Sequence, residues 1–346
     1  MSTTGPQKLR VAMVGCGAVA HAHLPTVLAS KDAEASLCVD RSLERARELA
    51  AKYGASDSIA DYAEVPGRAE AAIVALPHHL HAPASMALLR QGVHVLVEKP
   101  MALSTRECDE MIAAARAGNA VLAVGLVSRW FGVARTVKAL LDGGVIGRVV
   151  RFDVREGHVY SWPVASDFMF RRETGGGVLA DTGPHVLDLL LWWLGDFESV
   201  EYRDDDRGGV EADCELDLVL RSGGRGKVEM SRTRELRNTW ILEGEKGTLE
   251  VERRFASSFE LRLDGEVVSL EGRFAKAGRP EDPLECFRRQ WDDFVDAIVS
   301  RRPSWTPGEE GRRAVALIEA CRASRRPLAL AWEAWNGPAG IARTVS

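Results

Sequence analysis

This sequence predicts an α/β chain in two parts: a doubly wound parallel sheet, then an α+β domain with a large, mainly antiparallel open sheet. Three observations support this. Apolar runs alternate with helical stretches from Leu9 to Val124, alternating strand patterns dominate from Arg148 to Leu270, and 346 residues exceed what one core usually supports. The first part closes near Leu126, giving residues 1–126 and 127–346. A hydrophobic content of 46% with 27% charged residues is that of a soluble globular protein. The formal net charge of −5, without a long basic run, argues against nucleic acid as a partner. The opening MSTTGPQKLR lacks the apolar core of a leader and no apolar run is long enough for a bilayer, so no membrane partner is expected and the expected location is cytoplasmic. Six cysteines, at 16, 38, 108, 214, 286 and 321, lie far apart and read as buried thiols rather than metal ligands or disulfides.

The first strand, Val11 to Val14, runs into Gly15-Cys16-Gly17-Ala18-Val19-Ala20, and a helix from Ala18 to Ser30 follows with a kink or break near Pro25. GxGxxA at a strand-to-helix turn is suited to a dinucleotide. Gly15 permits the tight turn, Gly17 lets main chain approach a pyrophosphate, Ala20 keeps helix and strand close, and the helix start at Ala18 and Val19 offers free N–H groups. A second strand, Ala35 to Val39, ends in Asp40, where an acid binds the adenosine ribose hydroxyls. Asp40 would repel a ribose phosphate and so favours NAD. Arg41, placed to stack on adenine or to meet that phosphate, keeps NADP open.

Ser42 to Tyr53 reads as a helix stopped by Gly54, and Ala71 to Leu76 as a buried strand broken by Pro77. His78-His79-Leu80-His81 follows. Its spacing is poor for one metal and no Cys/His pair accompanies it, so no metal is expected, and the loop lies instead at the carboxyl edge where this fold binds ligands. A helix from Ala82 to Gln91 leads to the strand His94 to Val97, which ends in Glu98-Lys99-Pro100. Only eight of the 45 basic residues are lysine, which makes Lys99 at a strand end less of a generic surface charge. Ser104 with Glu107 forms a capping box, Gly118 ends that helix, and Val121 to Val124 is one more strand. Phe131 to Asp142 reads as a linking helix stopped by Gly143-Gly144.

Beyond it, Arg148–Glu156, Asp213–Arg221, Gly226–Arg234, Asn238–Glu243, Thr248–Glu252, Phe259–Leu263 and Glu266–Leu270 alternate as strands. Helices are expected near Cys286–Ser300 and Gly308–Ala323, and the tail from Asn336 carries no readable chemistry. Between the strands stands GGGVLADTGPHVLDLLLWWLG, Gly175 to Gly195. Pro184 suits a first helical position, with Thr182 or Gly183 as cap, so that His185 sits in the first turn of an apolar helix, four residues after Asp181. The helix dipole there would keep His185 neutral. Read alone, the stretch favours a capping acid with a core histidine over an acid–base pair, and the upstream motifs reverse that preference.

GCGAVA, Asp40, the Pro77 to His81 loop, Glu98-Lys99-Pro100 and Asp181-x-x-x-His185, in this order, resemble the glucose-fructose oxidoreductase/inositol dehydrogenase (Gfo/Idh/MocA) family from Leu9 to about Glu333. The resemblance implies a Rossmann domain, a second domain on an open sheet, and NAD(P)-dependent chemistry on a sugar, cyclitol or related polyol. It implies Lys99, Asp181 and His185 as the catalytic set, and Leu76, Pro77, His78, His81 and Glu98, with Lys99, at the nicotinamide end of the cofactor site. One departure affects substrate contacts. Many sugar-oxidising relatives carry two adjacent arginines and an aromatic residue where this chain reads Ser128-Arg129-Trp130. Arg129 and Trp162 are the expected substrate contacts beside Asp181 and His185, with Trp130, Tyr160, Phe168, Phe170, Arg171 and Arg172 between the domains.

The expected reaction is reversible alcohol oxidation: hydride passes between nicotinamide and a carbinol carbon, His185 takes the hydroxyl proton, Lys99 stabilises charge on that oxygen, and Asp181 supports Lys99 or orients substrate or imidazole. Two alternatives remain open: a bound NAD used for transient oxidation in elimination, hydrolysis or epimerisation, and a nucleotide-responsive regulator without turnover. The resemblance also implies a homo-oligomer, a homodimer or homotetramer paired through the open sheet.

Overall fold

The computed structural model describes residues 8–164, 166–252, 258–264, 268–273, 275–276 and 279–329. Six parallel strands form the first sheet among these residues: β1 (Leu9–Val14), β2 (Ala33–Val39), β3 (Asp57–Ile59), β4 (Ala71–Val74), β5 (His94–Glu98) and β6 (Leu122–Gly125), in the order β3-β2-β1-β4-β5-β6. Strands β4 and β6 are buried at every position because helices cover both faces of the sheet. The helices are α1 (Ala20–Ala29), α2 (Leu43–Tyr53), α3 (His81–Leu89) and α4 (Thr105–Ala117). Local chemistry sets their ends. The Ser42 side chain accepts from Arg45 N, Gly54 closes α2 at φ 69°, and Ser104 and Glu107 form a reciprocal capping box on α4. Helix α1 runs through Pro25 without ending there.

After α5 (Gly132–Asp142) comes a second sheet, with two helical pieces, α6 (Val178–Asp181) and α7 (Gly183–Leu194), inserted after its first strand. Its strands are β7 (Val149–Gly157), β8 (Phe197–Asp204), β9 (Asp213–Leu220), β10 (Arg225–Ser231), β11 (Thr239–Gly244), β12 (Gly247–Glu252), β13 (Ser258–Leu263) and β14 (Val268–Arg273). A small ribbon pairs β15 (Ala275–Lys276) with β16 (Arg279–Pro280), and β17 (Arg325–Pro327) joins the large sheet as a ninth strand among the described residues. The order is β14-β13-β12-β11-β7-β10-β9-β8-β17, antiparallel except for the β7/β10 and β8/β17 pairs. Register places Val228 beside both Val154 and Leu216. Cys214, Leu216, Leu218 and Leu220 therefore share one face, which packs with Phe152, Met230 and Trp240 against the apolar sides of α7. The expected strand beginning at Glu266 is β14, and residues 265–267 and the tail from Asn336 lie outside the described residues. Neither β8 nor β17 was anticipated.

The last two helices, α8 (Pro283–Val299) and α9 (Gly308–Ala323), return to the first sheet. Trp291, Phe294 and Val295 share a core with Val11, Met13 and Leu24. Helix α9 packs between α4 and α7, and the chain just before it is clamped to β6: Val124 N donates to Thr306 O at 2.8 Å and Thr306 Oγ1 to Val124 O at 2.9 Å. The carboxyl edge of the first sheet thus faces α6 and the start of α7. No helix among the described residues is long and apolar enough to cross a membrane.

Candidate active site

Main chain builds the first wall of the cleft. Gly15 has φ +100°, and a Cβ there would come 2.2 Å from Ala75 O, so the turn admits only glycine. Gly17 has nothing within 4 Å of an added Cβ, which leaves its side of the turn open for a phosphate group. The carbonyls of Gly17, Ala18 and Val19 accept from Ala20, His21 and Ala22 as α1 begins. Asp40 folds back onto this turn: Oδ2 accepts from Cys16 N at 3.0 Å, and Oδ1 accepts from Ser42 N at 2.8 Å and from Arg45 Nη2 at 3.0 Å. Arg45 is therefore the guanidinium paired with Asp40, while Arg41 stands exposed. An open glycine turn with a carboxylate beside it fits a nicotinamide dinucleotide.

Beyond β4, Leu76 and Pro77 lead into a short 3-10 turn, His78 to Leu80. His78 Nδ1 lies 2.7 Å from Gly175 O, and Phe168 meets the ring edge-on at 5.2 Å. Burial, helped by the charge of Lys99, pushes His78 down to about 3, so this ring is neutral. His81 has carbonyl oxygens at both nitrogens, Pro100 O and Leu76 O, each at 2.7 Å. Burial lowers its pKa as well, and one N–H then serves one of the two carbonyls. These histidines position main chain.

At the end of β5 the chain delivers Glu98 and Lys99. Lys99 Nζ donates to Asp181 Oδ1 at 2.7 Å and to Asp181 O at 2.9 Å. The other carboxylate oxygen accepts from Arg232 Nη2 at 2.6 Å. Burial pushes Asp181 up, but Lys99 and Arg232 outweigh it and hold the group well below the usual carboxylate range. The Arg232 guanidinium lies 4.8 Å from the centre of the Tyr160 ring, and both Arg232 Nε and the Tyr160 hydroxyl are buried without a hydrogen-bond partner among the described residues. Sequence reasoning missed Arg232. It ends no motif, and only the placement of the strand-end loop after β10 opposite α6 brings it to Asp181.

Helix α7 starts where expected, with Thr182 at its N-cap position, Pro184 in its first turn and His185 third in the helix, but a second helical piece stands directly ahead of it. Gly177, at φ +100°, opens the short helix α6 ahead of it, and Thr182 is helical with no side-chain capping bond. The cap comes from across the sheet, where Glu211 O accepts from Val178 N and Glu211 Oε1 from Leu179 N, both at 2.9 Å. His185 thus sits in the first turn of α7, with α6 directly ahead of it. Its Nδ1 lies 3.2 Å from Ser128 Oγ. Arg129, expected at the substrate, is turned away. It is 2% exposed, donates to Asp188 at 2.6 and 2.9 Å and to Glu310 at 2.6 Å, and so ties the turn after β6 to α7 and α9. Trp130 is also core, edge-on to Trp305. Trp162 and Phe170 are exposed, Arg171 pairs with Asp167, and Arg172 reaches Gly209 O.

Residues 9–126 match the oxidoreductase family with an NAD-binding Rossmann fold, GFO/IDH/MocA, and residues 134–250 match the GFO/IDH/MocA C-terminal domain. Trans-1,2-dihydrobenzene-1,2-diol dehydrogenase of Mus musculus is 30% identical over 270 residues, 75% of this chain and 78% of its own. Levoglucosan dehydrogenase of Pseudarthrobacter phenanthrenivorans is 25% identical across 70% of this chain and 73% of its own. Among solved structures, levoglucosan dehydrogenase with NADH and levoglucosan superimposes with a TM-score of 0.83 at 21% identity, covering 92% of this chain and 97% of the other. A 3-ketoreductase from Actinomadura kijaniata with NADP gives 0.80 at 22% identity, covering 93% and 99%. At these identities the structural likeness is one of fold.

Proposed function

This chain belongs to the GFO/IDH/MocA oxidoreductase family, and on that premise we propose that it is an NAD(P)-dependent oxidoreductase of a secondary alcohol, or the matching ketone, of a sugar, cyclitol or related polyol. One observation carries the reading. Lys99, at the cofactor edge of the first sheet, is ion-paired with Asp181 one helical turn before His185. Bound nicotinamide supplies the hydride acceptor in oxidation and the donor in reduction. Gly15, Gly17, Ala18, Val19 and Asp40 are assigned to hold the dinucleotide, and Leu76, Pro77, His78, His81 and Glu98 to line its nicotinamide end. The carboxylate of Asp40, already paired with Arg45, favours NAD over NADP.

Lys99 Nζ donates to the reacting oxygen and stabilises negative charge there. His185, with Nδ1 beside Ser128, takes the hydroxyl proton at Nε2 and returns it in reduction. Asp181 stays ionised and keeps Lys99 in place, while Arg232, which cannot give up a proton, holds the second oxygen of Asp181. Lys99 and Arg232 balance Asp181 and Glu98 in charge, and His78 is neutral, which suits an uncharged polyol. The protein is taken to be cytoplasmic and to form a homodimer or homotetramer through the polar face of the large sheet, with 1–126 as the cofactor half and 127–346 as the substrate half. The test is reduced-nicotinamide absorbance with NAD, then NADP, against cyclitols, aldoses and anhydrosugars. His185→Ala is expected to lower kcat by roughly two to four powers of ten while leaving NADH affinity within about twofold. Unchanged turnover in that variant would refute His185 as the proton carrier.

A further inference from the structure

Glu98 and its neighbour His23 form a buried pair that the reaction as described does not use. Glu98 Oε1 lies 2.7 Å from His23 Nε2, and Oε2 accepts from Lys99 N at 3.1 Å. Burial pushes the Glu98 carboxyl up, but the hydrogen bond from His23, with the charge of Lys99, outweighs burial and holds it below the usual carboxylate range. His23 is 1% exposed on α1, the helix that follows the glycine turn, and Phe287 of α8 meets its ring edge-on at 5.0 Å. Its Nδ1 is buried without a hydrogen-bond partner among the described residues. That orphaned nitrogen fixes the tautomer. With hydrogen on Nε2 the ring donates to Glu98 and leaves only a lone pair at Nδ1, so that no N–H is buried unpaired. The Glu98 carboxylate is thereby held in place. Room for its carboxyl comes from Gly125 at the end of β6, where a Cβ would stand 3.0 Å from it.

We infer that His23 is a positioning residue: from the helix behind the glycine turn it holds the Glu98 carboxylate against the main chain of Lys99 and within electrostatic reach of His185, so that the dinucleotide cradle and the proton-handling pair share one framework. This rests on the reading of Lys99 and His185 given above. The charged or titratable groups facing Glu98 are His23 on α1, His81 on α3, Lys99 after β5 and His185 on α7, with Asp181 and Arg232 one step beyond Lys99. A carboxylate so placed favours the protonated form of His185, and its displacement lets that proton leave at lower pH.

Three variants test this: His23→Leu, which removes the donor; His23→Gln, whose amide supplies one; and Gly125→Ala, which crowds the same carboxyl without touching His23. Two readouts separate the questions. One is the imidazole NMR titration of His185, assigned by its loss in His185→Ala, and the other is the pH dependence of kcat/KM. His23→Leu is expected to move the His185 midpoint to lower pH by about half a pH unit or more, with the acid limb of kcat/KM following and kcat falling about tenfold. His23→Gln is expected to restore both to within about twofold, and Gly125→Ala to move the midpoint in the same direction. A midpoint unmoved in His23→Leu, or in Gly125→Ala should the leucine variant not fold, overturns the proposal, as does equal loss of kcat in the leucine and glutamine variants. A midpoint that moves while the kinetic limb stays fixed supports the role of His23 and instead refutes His185 as the base.

Discussion

On the first-sheet side of the cleft, groups are held by main chain. Gly15 is wedged against the carbonyl of Ala75, His78 is bound to the carbonyl of Gly175, and His81 lies between two carbonyls. On the second-sheet side the ties are side-chain charges reaching residues distant in sequence: the ion pairs of Arg232 with Asp181 and of Arg129 with Asp188 and Glu310, and Glu211 accepting from the first amides of α6. A wall of backbone is already shaped before any ligand arrives and fails mainly by steric intrusion. A wall of ion pairs fails when one partner is lost, because the other is left charged and buried.

The largest effect expected from that contrast is at Arg129. Arg129→Leu strands Asp188, which is 1% exposed, and should cost about 3–5 kcal/mol of stability in urea unfolding. A loss under about 1 kcal/mol would mean that charge is not what joins the turn after β6 to α7. Next comes a pair of glycines. Gly15→Ala should cost about 2–3 kcal/mol through its collision with Ala75 O at a positive φ, whereas Gly17→Ala should stay within about 0.5 kcal/mol of the parent yet weaken NADH binding about tenfold by calorimetry. Equal stability of the two variants would dissolve the backbone account.

Acid exposes the neutral histidines of the first wall. His78 has its folded-state pKa pushed down to about 3, so its unfolded form takes up a proton first. Stability is fully present above about pH 6.5 and falls as pH drops toward 3, with about 2 kcal/mol lost by pH 5. His81, lowered in the same direction, adds to the slope. Asp181 and Glu98 are depressed carboxylates, so their stabilisation persists down to about pH 5 and is lost only as pH falls through and below the ordinary carboxylate range. Urea midpoints at pH 7.5 and 5 for the parent and His78→Gln check this, and a variant with an unchanged pH slope would contradict it. The smallest effect belongs to Arg232. Arg232→Gln should lower kcat about tenfold with cofactor affinity intact, since Lys99 then shares Asp181 with a neutral amide. An unaltered kcat would show that Lys99 holds Asp181 unaided.

The same contrast explains what could be read from the residues. Short-range chemistry was legible: the glycine turn, the Ser42 cap with Gly54, the Ser104–Glu107 box, and the alternation that placed Cys214 to Leu220 on one face. Partners from afar were not. Nothing near Val178 announces that Glu211 caps it, and nothing near Arg232 points to Asp181. Arg129 looked like a substrate contact because adjacency in a motif does not say which way a side chain turns. In the 3-10 turn from Val127 to Trp130, Ser128 meets His185 while its neighbour is buried against α7. Strand β8 escaped notice because Glu198, Glu201, Arg203 and Asp204 interrupt its apolar pattern, and β17 because three polar-flanked residues pair only through β8.

The return of α8 and α9 to the first sheet also has a consequence for synthesis. As the chain leaves the ribosome, β1 to β6 emerge before the second sheet, and the surfaces of α1 and β6 that receive Trp291, Phe294 and the segment around Thr306 stay uncovered until α8 and the start of α9 are out as well. The nucleotide-binding half therefore completes its core last although it is made first, and a nascent chain stopped before α8 would present those apolar surfaces to chaperones rather than a finished binding fold.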